Sequence, residues 1–216
     1  MSTLTLVRHG QAHSASGRLT ELGERQARAL AEHWMRRRVR FDEVYTGSML
    51  RQRQTEVIVA AAYKEAGCAW PDAKTLPEWN EYDAHKVLRA LAPAADFDNP
   101  RAFQRAFEIA MAQWLGYAAA DPPFETWPQF RDRVRAGLAK IVSADPGRRI
   151  AAFSSGGPIG LLVQTALAAP ERKFLELNWR VRNTSVTAFL FSRDRFTLDA
   201  FNTLPHLDDP ALATFR

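Results

Sequence analysis

The chain has one cysteine, Cys68, in 216 residues. No internal disulfide can form, and a lone thiol suits a reducing cytoplasm. Nothing around Cys68 asks for more than a small, passive side chain. Long apolar runs are also missing. The longest, Pro158 to Pro170, is interrupted by Gln164 and is too short to span a bilayer. The first residues lack a basic stretch followed by an apolar one, so no secretory leader is read. His13, His33 and His85 fall at no metal-ligand spacing and read as structural or solvent-facing. No helix-turn-helix or zinc-finger pattern is present. The one dense basic run, Arg36-Arg37-Arg38 with Arg40, ends a predicted helix, where cations favour the dipole. A net charge of +5 favours anionic partners. The expectation is therefore a cytoplasmic protein with an anionic partner such as a phosphorylated metabolite, and with neither nucleic acid nor membrane. The oligomeric state is not legible.

Alternating elements fill the chain. Residues 3–8, 42–46, 149–154, 184–191 and 195–201 read as strands, with a further strand near Lys74-Thr75-Leu76. Thr20 to Arg38 reads as an amphipathic helix, because Leu22, Ala27, Leu30, Ala31 and Trp34 recur at helical spacing. Thr20 is its N-cap, and Gly23 is tolerated in its first turns. Met49 to Ala66, Trp127 to Ser143 and a segment from Pro158 to Ala168 read as further helices. Residues 80–125 hold apolar helical patches broken by prolines and read as a helical insertion packed on the sheet core. The pattern predicts one α/β domain over 1–216 with a mostly parallel sheet.

The most informative segment is Leu6-Val7-Arg8-His9-Gly10-Gln11. A buried strand here delivers a cation and an imidazole to the carboxyl edge of the sheet, where open α/β sheets bind ligands. A histidine can act there as a nucleophile and a guanidinium can hold the anion it attacks. Gly10 lets the backbone turn or approach a ligand closely.

Three more segments join it: LTELGERQA at 19–27, VYTGSMLRQRQT at 44–55 and FSSGGPI at 153–159. In order and spacing they resemble the histidine phosphatase superfamily, also called phosphoglycerate mutase-like, from residue 3 to about 165. The tail, Asn183-Thr184-Ser185-Val186 and Phe201 through Leu207, is similar too. The resemblance implies a three-layer sandwich about the central sheet. It implies that His9 takes a phosphoryl group on a ring nitrogen and passes it to water, while Arg8 and Arg51 hold the phosphoryl oxygens. No metal or cofactor is implied, because guanidinium groups neutralise the phosphate. Gln11 and Thr20 lie near the site by resemblance, and Arg53 is a solvated helix residue. An acid must protonate the leaving oxygen. Trp79-Asn80-Glu81 fits the family segment better than Leu76-Pro77-Glu78, so Glu81 is expected, with Glu78 and Asp83 as alternatives.

The chain departs from the family at Ser155, where a second histidine usually precedes the Gly-Gly pair. A serine hydroxyl donates one hydrogen bond and brings no charge. Losing a charge-assisted donor costs about 2–4 kcal/mol at the transition state, roughly a hundred- to a thousandfold in rate. Backbone N–H groups around Gly156 and Gly157 open a helix and offer a compensating anion cradle, with Ser155 and Gly156 as expected substrate contacts. His206 either reaches the site or caps a strand end. A serine-hydrolase elbow is excluded by Phe153, which stands where that motif needs glycine. The activity the resemblance implies is hydrolysis of a phosphate monoester, on a phosphorylated small-molecule or phosphoprotein substrate. Mutase-type phosphoryl transfer and a weakened phosphate-binding protein are the alternatives.

Overall fold

Alternation of apolar side chains builds the sheet from its middle outward. In the computed structural model, which describes residues 1–94, 99–119, 121–142 and 146–215, strand β1 (Ser2–Arg8) lies between β4 (Arg149–Ser154) and β5 (Val186–Ser192). Beyond β4 come β2 (Glu43–Thr46) and β3 (Ala73–Thr75), and β6 (Arg195–Thr203) closes the other edge. Strands β3, β2, β4 and β1 run parallel, while β5 and β6 are antiparallel to their neighbours. Successive strand residues face opposite sides. Leu4, Leu6, Ile150 and Ala152 enter one apolar cluster, and Val7, Ala151 and Phe153 enter the other. That explains why β1 and β4 read as near-continuous apolar runs: both of their faces are covered.

Helices α1 (Glu21–Arg36) and α2 (Leu50–Glu65) cover the second face, where Trp34, Tyr63 and Phe153 pack around Trp70. Helix α1 buries Ala27, Leu30, Ala31 and Trp34, one stripe at helical spacing. The Arg36–Arg38 run spans its C-terminus, with Arg38 at φ 56°. The first face carries α5 (Trp127–Val142), α6 (Gly156–Ala166) and α7 (Lys173–Asn178). The expected helix end at Ser143 lies outside the described residues. Helix α7 was not foreseen, because six residues are too few for a readable period.

The insertion contributes α3 (Ala84–Leu91) and α4 (Pro100–Leu115). Its Val87, Leu88, Ala110, Met111 and Trp114 join the same apolar cluster as Leu4 and Leu6 of β1, in line with the expected packing on the sheet core, and its aromatic contacts run to neighbouring helices. Tyr82 stacks on Trp114 at 4.6 Å, and both meet Phe130 of α5 and Phe174 of α7.

The glycines of the first two motifs have a joint purpose. An added Cβ at Gly10 would lie 2.5 Å from the carbonyl oxygen of Gly23, and one at Gly23 would lie 2.0 Å from that of Gln11. The loop after β1 and the first turn of α1 are thus in backbone contact. Gly10 serves this approach, and Gly23 is required rather than tolerated. Alanine normally favours a helix over glycine by about 1 kcal/mol. Gly23→Ala should reverse that sign and destabilise by about 1–3 kcal/mol through overpacking. Urea denaturation checks this, and a stabilised variant would show that the loop can yield.

Candidate active site

The register of β1 against β4 places Arg8 beside Ser154. His9 then continues the ladder, its N–H donating to the Ser154 carbonyl at 2.9 Å. On the other side, the Thr184 N–H reaches the carbonyl of Arg8 at 3.0 Å, and Asn183 Nδ2 donates to the carbonyl of His9 at 3.1 Å. The backbone that carries Arg8 and His9 is therefore held from both sides.

The ring of His9 is oriented by two bonds. Nδ1 lies 2.7 Å from the Gly10 carbonyl oxygen, which can only accept, so Nδ1 carries the proton. Arg51 Nε donates to Nε2 at 3.0 Å, which places the ring's lone pair there. Burial holds the pKa of His9 well below its ordinary value, and the Arg8 and Arg51 charges push it the same way. The outcome is a neutral imidazole whose nucleophilic nitrogen faces a guanidinium. Arg51 stands in the first turn of α2, and Thr55, one turn on, links its carbonyl (2.7 Å) to the Gly10 N–H (3.0 Å).

Glu81 and Glu78 part company on the same loop. The Trp79 indole donates to the Val134 carbonyl at 3.1 Å. Arg133 grips Glu125 with two bonds and donates to the carbonyls of Glu78 (2.7 Å) and Asn80 (3.0 Å). In this setting Glu78 pairs with Lys140 on α5. Glu81 turns inward, its carboxylate accepting from the Gly157 N–H at 3.0 Å and the Tyr82 N–H at 3.2 Å. Asp83 caps α3 by accepting from the Lys86 N–H. Burial pushes the pKa of Glu81 up, opposed by the Gly157 bond and the two guanidinium charges.

A cavity of about 580 Å³ opens onto Arg8, His9, Arg51 and Glu81. Gln11, Thr20, Ser155 and Gly156 are not among the described residues that line it. Thr20 caps α1 by accepting from the Gly23 N–H, and its hydroxyl lies 2.9 Å from Gln11 Oε1. Ser155 is wholly buried and accepts from Gln52 Nε2 at 2.9 Å. Gln52 also donates to the Trp79 carbonyl and accepts from the Met49 N–H. Gly156 lies behind Arg8, since an added Cβ would come 3.9 Å from Arg8 Nε and 2.8 Å from Asn178 Oδ1. The expected anion cradle at the start of α6 is already occupied at Gly157, by Glu81. His13 and His85 face solvent, as expected, and both line this cavity. Among the described residues, no group of three or more His, Cys, Asp or Glu is placed to hold a metal ion. A larger cavity of about 940 Å³ shares Trp179 and Phe215 with the site, and no histidine is among the described residues that line it.

A family model of the histidine phosphatase superfamily, branch 1, matches residues 4–204. The chain belongs to this superfamily. No curated protein matches it significantly. Solved structures of the same fold include phosphoglycerate mutase from Bacillus anthracis (18% identity, TM-score 0.69, covering 95% of this chain and 94% of that one). An alpha-ribazole phosphatase from Shigella flexneri is similar at 20% identity and TM-score 0.67 (93% and 96% covered). A mycobacterial glucosyl-3-phosphoglycerate phosphatase is similar at 21% and 0.61 (93% and 98% covered). Among the described residues, no helix is long and apolar enough to cross a membrane.

The superfamily signature left several supporting residues unnoticed. The C-terminal segment is one source. Gln26 of the LTELGERQA motif is fully buried, accepting from the Gln11 N–H and donating to the Leu212 carbonyl and Thr214 Oγ1. The segment so held delivers the carbonyl of Phe215 to Arg8 Nη1 at 2.6 Å, beside a second bond to Val181. His206 is another. It is not among the described residues that line the site's cavity and lies buried, with Nε2 3.0 Å from Thr184 Oγ1. That hydroxyl donates to the Asn183 carbonyl, so His206 Nε2 is the donor to it. Nδ1 is left unprotonated and without a partner among the described residues.

Burial, with His33 adding to it, pushes the pKa of His206 down to about 4. The unfolded chain takes up this proton near 6.5, and the folded chain only near 4. The unfolded state thus binds more protons in that window, and stability falls as pH drops through it. Urea midpoints should fall from pH 7 to 4. His206→Gln, which keeps a donor for Thr184, should remove roughly 3 kcal/mol of that change at most. An unchanged slope in the variant would assign the titration to His9 instead.

Proposed function

We propose that this protein hydrolyses a phosphate monoester through a phosphohistidine at His9. The observation that carries the reading is the ring geometry of His9: Nδ1–H bound to the Gly10 carbonyl, Nε2 unprotonated and facing Arg51 at 3.0 Å. A superfamily of phosphatases and mutases supports it.

In the first step Nε2 attacks phosphorus and the bond from phosphorus to the leaving oxygen breaks. Arg51 moves its hydrogen bond from Nε2 to a phosphoryl oxygen, and Arg8 adds its charge beside it. Protonated Glu81 gives its proton to the leaving oxygen. Its buried position favours the neutral acid that this requires. The imidazolium formed on phosphorylation keeps Nδ1–H on the Gly10 carbonyl. In the second step water attacks phosphorus, Glu81 accepts the water's proton, the P–N bond breaks and phosphate leaves. Ser155 takes no part in this scheme. Its hydroxyl and Gln52 form a neutral buried pair, so transition-state charge rests on Arg8 and Arg51.

His9→Ala should abolish turnover of p-nitrophenyl phosphate and the acid-labile, base-stable phosphoenzyme, and normal turnover in that variant would sink the reading. Glu81→Gln should lower kcat/KM about a hundredfold for an alkyl phosphate. It should do so far less for p-nitrophenyl phosphate, whose leaving group needs little protonation. Equal losses on both would remove Glu81 from the acid role.

A further inference from the structure

We infer that the leaving alcohol of the substrate is uncharged and apolar, with a flat or aromatic body. This rests on the phosphatase reading above and concerns the part of the cavity beyond the phosphate. A volume of about 580 Å³ far exceeds that of a phosphoryl group. Its further lining includes Leu88, Phe103, Phe107, Trp179 and Phe215. Phe103 and Phe107 are near-parallel with centroids 6.2 Å apart, and Phe107 meets Trp179 at 6.3 Å. None of these four aromatic rings is among the fully buried side chains, and Phe215 is 49% exposed. They therefore have apolar surface left to cover, and an apolar ligand gains from covering it.

Charge points the same way. Among the described lining residues the arginines and lysines are Arg8 and Arg51 alone, both at His9. One phosphate dianion takes up both. The remaining acidic side chains of the lining are Glu81, the neutral acid of the scheme above, and Asp83. A second phosphate or a carboxylate on the substrate would find no further guanidinium among the described lining residues; Asp83 is half exposed and paired with Lys86, and Arg89 lines the adjoining cavity. The imidazoles of His13 and His85 in the lining, and Arg89 in the adjoining cavity, are the other groups able to meet an anion.

The test compares kcat/KM at pH 8 for 2-phenylethyl phosphate, glycerol 1-phosphate and 3-phosphoglycerate, all of which leave as alkoxides. The phenylethyl ester should lead by tenfold or more. Phe107→Ala should collapse that lead, mostly through KM, and Phe103→Leu, a milder change, should reduce it. A ratio near one, or a lead for either polar ester, overturns the inference. Calorimetric binding of 3-phenylpropylphosphonate against 3-hydroxypropylphosphonate reads the same preference without turnover. Preference there with no hydrolysis keeps this inference and defeats the phosphatase reading, whereas equal binding defeats this inference whatever the turnover.

Discussion

The site depends on keeping one imidazole neutral and aimed. A histidine beside two arginines in a buried setting sheds its proton at little expense, because burial and both charges oppose the cation. The remaining freedom is which nitrogen keeps a hydrogen, and the Gly10 carbonyl decides it for Nδ1. That carbonyl is in place because Gly10 and Gly23 touch through bare backbone, and because Thr55 holds the Gly10 N–H. Loop, helix α1 and helix α2 thus meet at a single peptide unit.

The same economy governs the acid. Glu81 is selected by where the neighbouring residues go. Trp79 is anchored on α5, Glu78 is drawn to Lys140, and Arg133 fixes two of the loop's carbonyls. With those bonds made, the next side chain enters the cavity and finds the Gly157 N–H. The first turn of α6 therefore positions a carboxylate. Ser155 follows from a similar local closure. Its hydroxyl is satisfied by Gln52, which is also bound to Met49 and Trp79, so the pair is a sealed polar contact. The chain has exchanged a charged donor expected at this position for neutral packing.

Much of this was legible in the chain itself. Strand β1 and its Arg-His-Gly end, the amphipathic α1, the helix bearing Arg51 and the strand-to-helix passage at 154–156 follow from patterns of period 2 and 3.6. Their order carried the family. Less legible were the partners of backbone groups. Gln26, Gln52 and Asn183 are uncharged, and their amides bond to main chain tens to nearly two hundred residues away. Periodicity is blind to such bonds. Gln52 does lie on the buried stripe with Thr55 and Val59, and a polar residue on that stripe was the available hint.

The sequence by itself determined the α/β class, the strand end that presents His9, and the pair His9 and Arg51, because each depends on local period and on short motifs. Only the tertiary structure decided that Glu81 and not Glu78 enters the cavity, that Ser155 faces Gln52, and that the carbonyl of Phe215 rests on Arg8. Those outcomes turn on which long-range hydrogen bonds can be satisfied together in one packed volume. A buried polar group must find its partner wherever the fold has brought one.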